Sequence, residues 1–258
     1  MSTRLFTLTY AGVAYLCFLA TLVYTAGFIV GIGVPKNLGT GPHSPWPLAV
    51  AIDLGLLGLF AVQHTVMARP WFKRWLTRVV PEAAERSTFV LASSAVLALL
   101  FWQWRPVGGD LWTTTGFLRY VLLACYVAGL AIAISSTYLI DHFDLFGLRQ
   151  GWLAARGAEY RPVPFSERAF YRYVRHPLMV GFLILFWAAP VMNGGHLLFA
   201  VAGTVYIFVG IRFEEHDLLQ ALGEPYLDYQ ARVPALCPVP HRRPRVPVES
   251  DDAVRVGR

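Results

Sequence analysis

Apolar residues occur in long blocks rather than in alternation. Leu8–Val34, Trp46–Ala68, Thr88–Trp104 and Gly116–Ile140 each approach the roughly 20 apolar residues that carry a helix across a hydrocarbon core. A polar stretch, Asp141–Arg175, follows. Two shorter runs, Leu178–Val191 and His196–Ile211, are joined by Pro190 and Asn193-Gly194-Gly195. They predict a tight helical hairpin, either two shortened spans or a re-entrant pair. The pattern therefore predicts an all-α polytopic integral membrane protein with five to six transmembrane helices, the last two a short helical hairpin. It divides the chain into a four-helix transmembrane region (1–140), a region with the C-terminal hairpin (141–237) and a Pro- and Arg-rich tail (238–258) expected to be disordered. Arg4 before the first block imitates a secretory signal, but the block is too long for one and no small-residue cleavage site follows, so an uncleaved span is expected.

Composition agrees with the bilayer as solvent. Residues of the set AVILMFWYC make up 56% of the chain and charged residues 15%, where a soluble domain carries roughly 25%. Mean hydropathy is +0.49. A disordered chain, a disulfide miniprotein and an ordinary cytosolic enzyme are excluded. The formal net charge is +6, and its distribution predicts orientation. Arg69, Lys73, Arg74, Arg78 and Arg86 fill one connection, six further Arg fill 141–175, and Arg242, Arg243 and Arg245 lie in the tail; the turns 35–45 and 105–115 carry Lys36 and Arg105. With six crossings, both termini and the two long basic loops face the cytoplasm of what is expected to be a bacterial inner membrane. Basic residues interleaved with polar loops, as in nucleic-acid binders, are absent, so no nucleic-acid partner is expected. Cys17, Cys125 and Cys237 are too scattered to suggest a disulfide framework or a metal site.

Ionisable groups inside spans are functional candidates because burying them in hydrocarbon is costly. Asp53 and His64 are eleven residues apart, about three helical turns, and so share a face, with Gln63 beside it. They make either a polar stripe lining a substrate cavity or hydrogen bonds between spans; Asp53 lies near the opposite end from His64 and suits an interfacial group. Asp141, His142, Asp144, Arg149 and Gln150 are packed among aromatics just after the fourth block, as a reactive cluster or a solvated helix end. In 166–177, Ser166 and Glu167 suit a helix start, and Pro177 biases His176 out of helical geometry. With Arg172 and Arg175, His176 could grip a carboxylate or ribose; a basic collar on a membrane helix would look similar. Adjacent Glu214 and Glu215 where an apolar run ends are unusual, although a helix end in water would tolerate them.

Order and combination make these pieces specific. Arg175-His176-Pro177 with Gly181, the short hairpin, Glu214-Glu215, then Leu218, Gly223, Tyr226, Tyr229 and Val233-Pro234, resembles the C-terminal signature of the isoprenylcysteine carboxyl methyltransferase superfamily. Met179 departs from that pattern, which usually has Tyr there. Gln63-His64-Thr65-Val66-Met67-Ala68-Arg69-Pro70 and the stretch 139–150 look like the superfamily's NnrU-like branch. The resemblance implies a membrane methyltransferase using S-adenosyl-L-methionine and methylating a small thiol, methanethiol to dimethyl sulfide. It implies cofactor binding by Arg172, Tyr173, Arg175, His176, Pro177, Gly181, Glu214 and Glu215. Proton removal is expected from His64 or His142, oriented by Asp141 or Asp144, with Asp53, Gln63 and Gln150 on the substrate side. Alternatives within and outside this class are a prenylcysteine or lipid-amine acceptor, a non-enzymatic NnrU-like membrane factor, a sterol-reductase-like enzyme and a transporter. The last lacks paired broken helices or inverted halves.

Overall fold

The structure, a computed structural model, describes residues 3–238. The expected disordered tail, apart from Pro238, lies outside the described residues. The helices are α1 (Thr3–Val30), α2 (Trp46–Ala68), α3 (Pro70–Leu76), α4 (Glu82–Gln103), α5 (Gly116–Ile140), α6 (His142–Leu145), α7 (Leu148–Arg156), α8 (Pro177–Trp187), α9 (Gly194–Leu222) and α10 (Glu224–Arg232). Two short strands, β1 (Asp110–Thr113) and β2 (Val191–Asn193), pair antiparallel, with Trp112 opposite Met192. Among the described residues α1, α2, α4, α5 and α9 are long and apolar enough to cross a membrane. The chain is an integral membrane protein.

Helix ends are set by local chemistry. Pro70 takes the first position of α3 and holds Arg69 extended (φ −71°, ψ 141°), ending α2. The Asp141 carboxylate accepts from the Asp144 backbone N–H at 3.1 Å and starts α6, and the Asn193 side chain does the same for α9 through His196 N–H at 2.9 Å. Gly147 joins α6 to α7 at φ +85°; a Cβ there would lie 2.6 Å from Ser87 Oγ, so the connection presses directly on α4.

The core takes one contribution from nearly every long helix: Phe28, Leu56, Leu100, Trp104, Tyr126, Leu185 and Phe199. Trp104 donates its indole N–H to Leu38 O at 3.2 Å, and the Tyr126 hydroxyl reaches Ala26 O at 2.7 Å. Buried polar handles without such partners would cost about 1–3 kcal/mol each. Outward faces carry Leu16, Val23, Val62, Phe117 and Val127, as expected of helices solvated by lipid.

The hairpin is asymmetric. α8 has 11 residues, about 17 Å of helix, whereas α9 has 29, about 44 Å. The polar residues Arg212–Leu222 continue α9 well past its apolar run, because Glu, Gln, Leu and Ala are good helix formers. α8 packs on α5 with backbones in close approach: a Cβ on Gly181 would sit 2.7 Å from Gly129 O and from Ala133 N. Beyond Trp187 the chain runs extended; Thr114 N–H donates to Pro190 O at 2.8 Å and the Trp112 indole to Ala189 O at 3.1 Å. The β1–β2 ribbon thus brings the extended continuation of α8 to the level where α5 begins.

Candidate functional site

Three polar stations lie at or near the end of the bundle opposite the ribbon. The first is a clamp between the start of α8 and the end of α9. Pro177 leaves His176 as a non-helical cap (φ −122°, ψ 62°). Arg175 N–H and His176 N–H donate to Pro234 O and Ala235 O at 2.9 and 3.0 Å, tying this break to the chain after α10. Arg175 donates through Nε (2.7 Å) and Nη2 (2.6 Å) to Glu215 Oε1, and its Nη1 reaches the carbonyls of Gln230 and Val233. His176 Nε2 lies 3.0 Å from Glu215 Oε1 and Nδ1 lies 3.5 Å from Glu214 Oε2. Gln230 donates to the other Glu215 oxygen at 3.2 Å. Burial opposes charge on His176, but hydrogen bonds and negative charge from Glu214 and Glu215 outweigh it and hold its pKa above the usual 6.5. Glu215 is therefore committed to structure, whereas the Glu214 side chain remains 49% exposed.

A tyrosine pair backs the clamp. Tyr226 and Tyr229 are buried against Leu218, Leu219 and Leu222. Tyr229 donates to Tyr171 O at 2.7 Å. Burial pushes the Tyr226 phenol up to about 12 against the opposing pull of Arg175, so it stays neutral beside the clamp. Arg172 and Tyr173 are exposed beside the clamp. Gly181 lies one turn into α8, against α5 rather than among the clamp's side chains.

The second station is His142, buried in an aromatic cage. Tyr138 stacks on it at 4.2 Å, and Phe146 and Phe143 approach edge-on at 4.9 and 5.4 Å. Both ring nitrogens are engaged, Nε2 with Tyr15 OH at 2.8 Å and Nδ1 with Thr137 Oγ1 at 2.7 Å. Burial lowers its pKa against the opposing pull of Asp141. Asp144 receives Arg149 at 2.8 Å and Tyr160 at 3.2 Å, and its carbonyl receives Gln150 at 3.1 Å.

The third station is His64 on α2. Its ring packs against Phe60 at 5.2 Å and Phe89 at 4.8 Å, with Tyr206 of α9 at 6.5 Å. Ser93 Oγ, 3.3 Å from His64 Nδ1, also receives Gln63 Nε2 at 3.3 Å. Among the described residues His64 Nε2 has no hydrogen-bond partner, and it is not one of the buried orphan atoms, which belong to Asp53, Gln63, Glu85, Arg105, Gln150 and Tyr226. Arg69 continues this face by pairing with Asp217 of α9 at 2.8 Å.

α9 connects the clamp to the His64 station: Tyr206 and Asp217 face α2, while Glu215, on the other side of the helix, faces α8 and α10. Asp53 is not brought to either. It lies about three turns from His64, fully buried, accepting Arg105 N–H at 2.9 Å under the turn that ends α4. The sequence reading did not single out Gln230, Tyr206 or Arg86. Tyr226 and Tyr229 were legible from their spacing; Arg86 looked like one more basic loop residue.

The clamp's carboxylates could hold a cofactor that carries a cationic or hydroxyl group. Glu214 is half exposed and makes one long contact, to His176, so its carboxylate remains open to a ligand from the solvent side.

The sequence profile of the family described as NnrU protein matches residues 54–217. Methanethiol S-methyltransferase 2 of Bradyrhizobium diazoefficiens is 49% identical over 238 residues, 92% of each chain. Methanethiol S-methyltransferase of Mycobacterium tuberculosis is 48% identical over 240 residues, 93% of this chain and 98% of that one. Nurim of Bos taurus is 31% identical over 175 residues, 64% of this chain and 66% of that one. No solved structure matches. These matches, over more than half of the chain by the family and most of it by the relatives, give the assignment: this chain belongs to the NnrU protein family and is a relative of the methanethiol S-methyltransferases.

Proposed function

We propose that the protein methylates a small thiol, methanethiol, to dimethyl sulfide, taking the methyl group from S-adenosyl-L-methionine at the clamp. The observation that carries this reading is the Arg175–His176–Glu215 network with the half-exposed Glu214 carboxylate beside it; similarity over most of the chain to methanethiol S-methyltransferases supports the substrate. The bound donor would supply an electrophilic methyl group. Glu214 and Tyr226 would hold its ammonium or ribose, while Arg172, Tyr173 and Pro177 flank the opening. The aromatic walls exclude water from oppositely charged reactants, whose charges neutralise as the bond forms.

The thiol must ionise, because thiolate is the nucleophile. His64 suits the base: one nitrogen is positioned by Ser93 and the other is free. His142, with both nitrogens engaged, suits a structural role beside Asp141 and Asp144. Gln63 and Gln150 each keep a buried carbonyl oxygen unpaired and suit the substrate side; Asp53 suits the turn it supports. The charge asymmetry of the loops supports a topology with both termini and the clamp on the cytoplasmic side of a bacterial inner membrane. Residues 1–140 serve as the transmembrane frame and 141–237 as the cofactor-binding part.

The test is headspace detection of dimethyl sulfide from cells that express the chain and are fed methanethiol, with methyl-labelled donor supplied to their membranes. Label in the volatile product is the expected outcome. Failure of the purified protein to bind the donor would favour a non-enzymatic factor, and label in a lipid or prenylcysteine would move the acceptor.

A further inference from the structure

We infer that Arg86 is a thiolate-binding residue, forming with His64 an anion pocket between α2 and α4; this rests on the thiol-methylating reading above. Arg86 is held from three directions. Its Nε donates to Leu145 O at 2.7 Å, its guanidinium lies 4.9 Å over the Phe89 ring, and Gly147, which only glycine can occupy without clash, presses the α6–α7 turn onto its backbone. Among the described residues Nη1 and Nη2 make no hydrogen bond or ion pair and are not buried orphans. A guanidinium fixed by its stem with a free fork is built to receive an anion.

His64 packs on the same Phe89 ring at 4.8 Å, with its free Nε2. One ring therefore packs against both a positive fork and an imidazole whose Nε2 has no partner among the described residues. A thiol entering there would pass its proton to His64 Nε2. Its sulfur would keep the electron pair opposite Arg86 and form the new carbon–sulfur bond as the donor's carbon–sulfur bond breaks, that pair remaining on the donor sulfur. The proton then leaves His64 to water. The surrounding charges are Glu85 on α4, Arg69 between α2 and α3, Lys73 on α3, Asp144 and Tyr160 on either side of α7, and Asp217 with Tyr206 on α9. Asp144 is occupied by Arg149 and Asp217 by Arg69, so neither carboxylate closes on the Arg86 fork.

The experiment compares wild type, Arg86→Gln and Arg86→Lys. Ethanethiol binding to the donor-free protein is measured by calorimetry, donor binding separately, and kcat/KM for thiol against pH. Arg86→Gln should weaken ethanethiol binding about tenfold or more and move the rise of kcat/KM to higher pH by about one unit. Arg86→Lys, which keeps the charge, should recover most of both, and donor affinity should match wild type in all three. Unchanged thiol affinity and pH profile in Arg86→Gln would overturn the inference. Should Arg86→Gln fail to fold, Arg86→Lys decides: parallel losses of thiol binding, donor binding and thermal stability would make Arg86 merely structural. A wild-type protein that binds no donor instead sinks the methyltransfer reading.

Discussion

Glu215 is the residue on which the clamp turns, because one carboxylate receives Arg175, His176 and Gln230. Glu215→Gln leaves a largely buried guanidinium without its counter-charge, a loss of about 3–5 kcal/mol for a fully buried pair and less at this partly exposed site. Donor affinity measured by calorimetry should collapse, and wild-type affinity would show the clamp to be irrelevant. His176 gives the sign of the pH response. Its folded pKa lies above 6.5, so the charged contact is complete below pH 6.5 and is lost as pH rises through the higher folded value. Donor affinity should therefore decline on the alkaline side; in His176→Asn the decline should vanish. His64→Asn should lower turnover with donor binding intact, whereas His142→Phe should act on thermal stability, since it breaks contacts to Tyr15 and Thr137. Equal kinetic effects in both would contradict the division of roles. The clamp's residue types were legible from the sequence because four of them are adjacent in pairs. Arg86 and Gln230 were not, because nothing local marks a side chain whose partners lie on another helix.

Among the elements, α5 and α8 depend on the absence of side chains. Gly181→Ala places a Cβ within 2.7 Å of backbone atoms of Gly129 and Ala133, so the helices must separate. The expected loss is about 1–3 kcal/mol in detergent unfolding, as for overpacked cores, with the clamp following because His176 caps the same helix. An unaltered melting temperature would mean that the pair yields freely. Long spans were readable because a block of apolar residues has only one solution in lipid. The ends of α4 and α9 were not, since polar helix formers carry a helix beyond the hydrocarbon boundary, so the fall in hydropathy there does not mark where the helix stops. The β1–β2 ribbon was equally hidden: its strands are three and four residues long and too short for an alternating pattern.

For the whole molecule, the feature with the widest consequence is the abbreviated α8. Lipid tolerates helices but not open strand edges, so hydrocarbon beside this flank must stop near Trp187, where the helix gives way to the ribbon. The protein then meets a full-thickness bilayer around α1 and α2 and a dimpled or wetted one beside α8. Such a lopsided body is sensitive to acyl-chain length, because thickening the surrounding leaflet presses tails against the edge of the ribbon. Reconstituted into vesicles of steadily longer phosphatidylcholines, it should melt earlier and turn over more slowly as the chains lengthen; indifference to tail length would show that annular lipids never touch the ribbon.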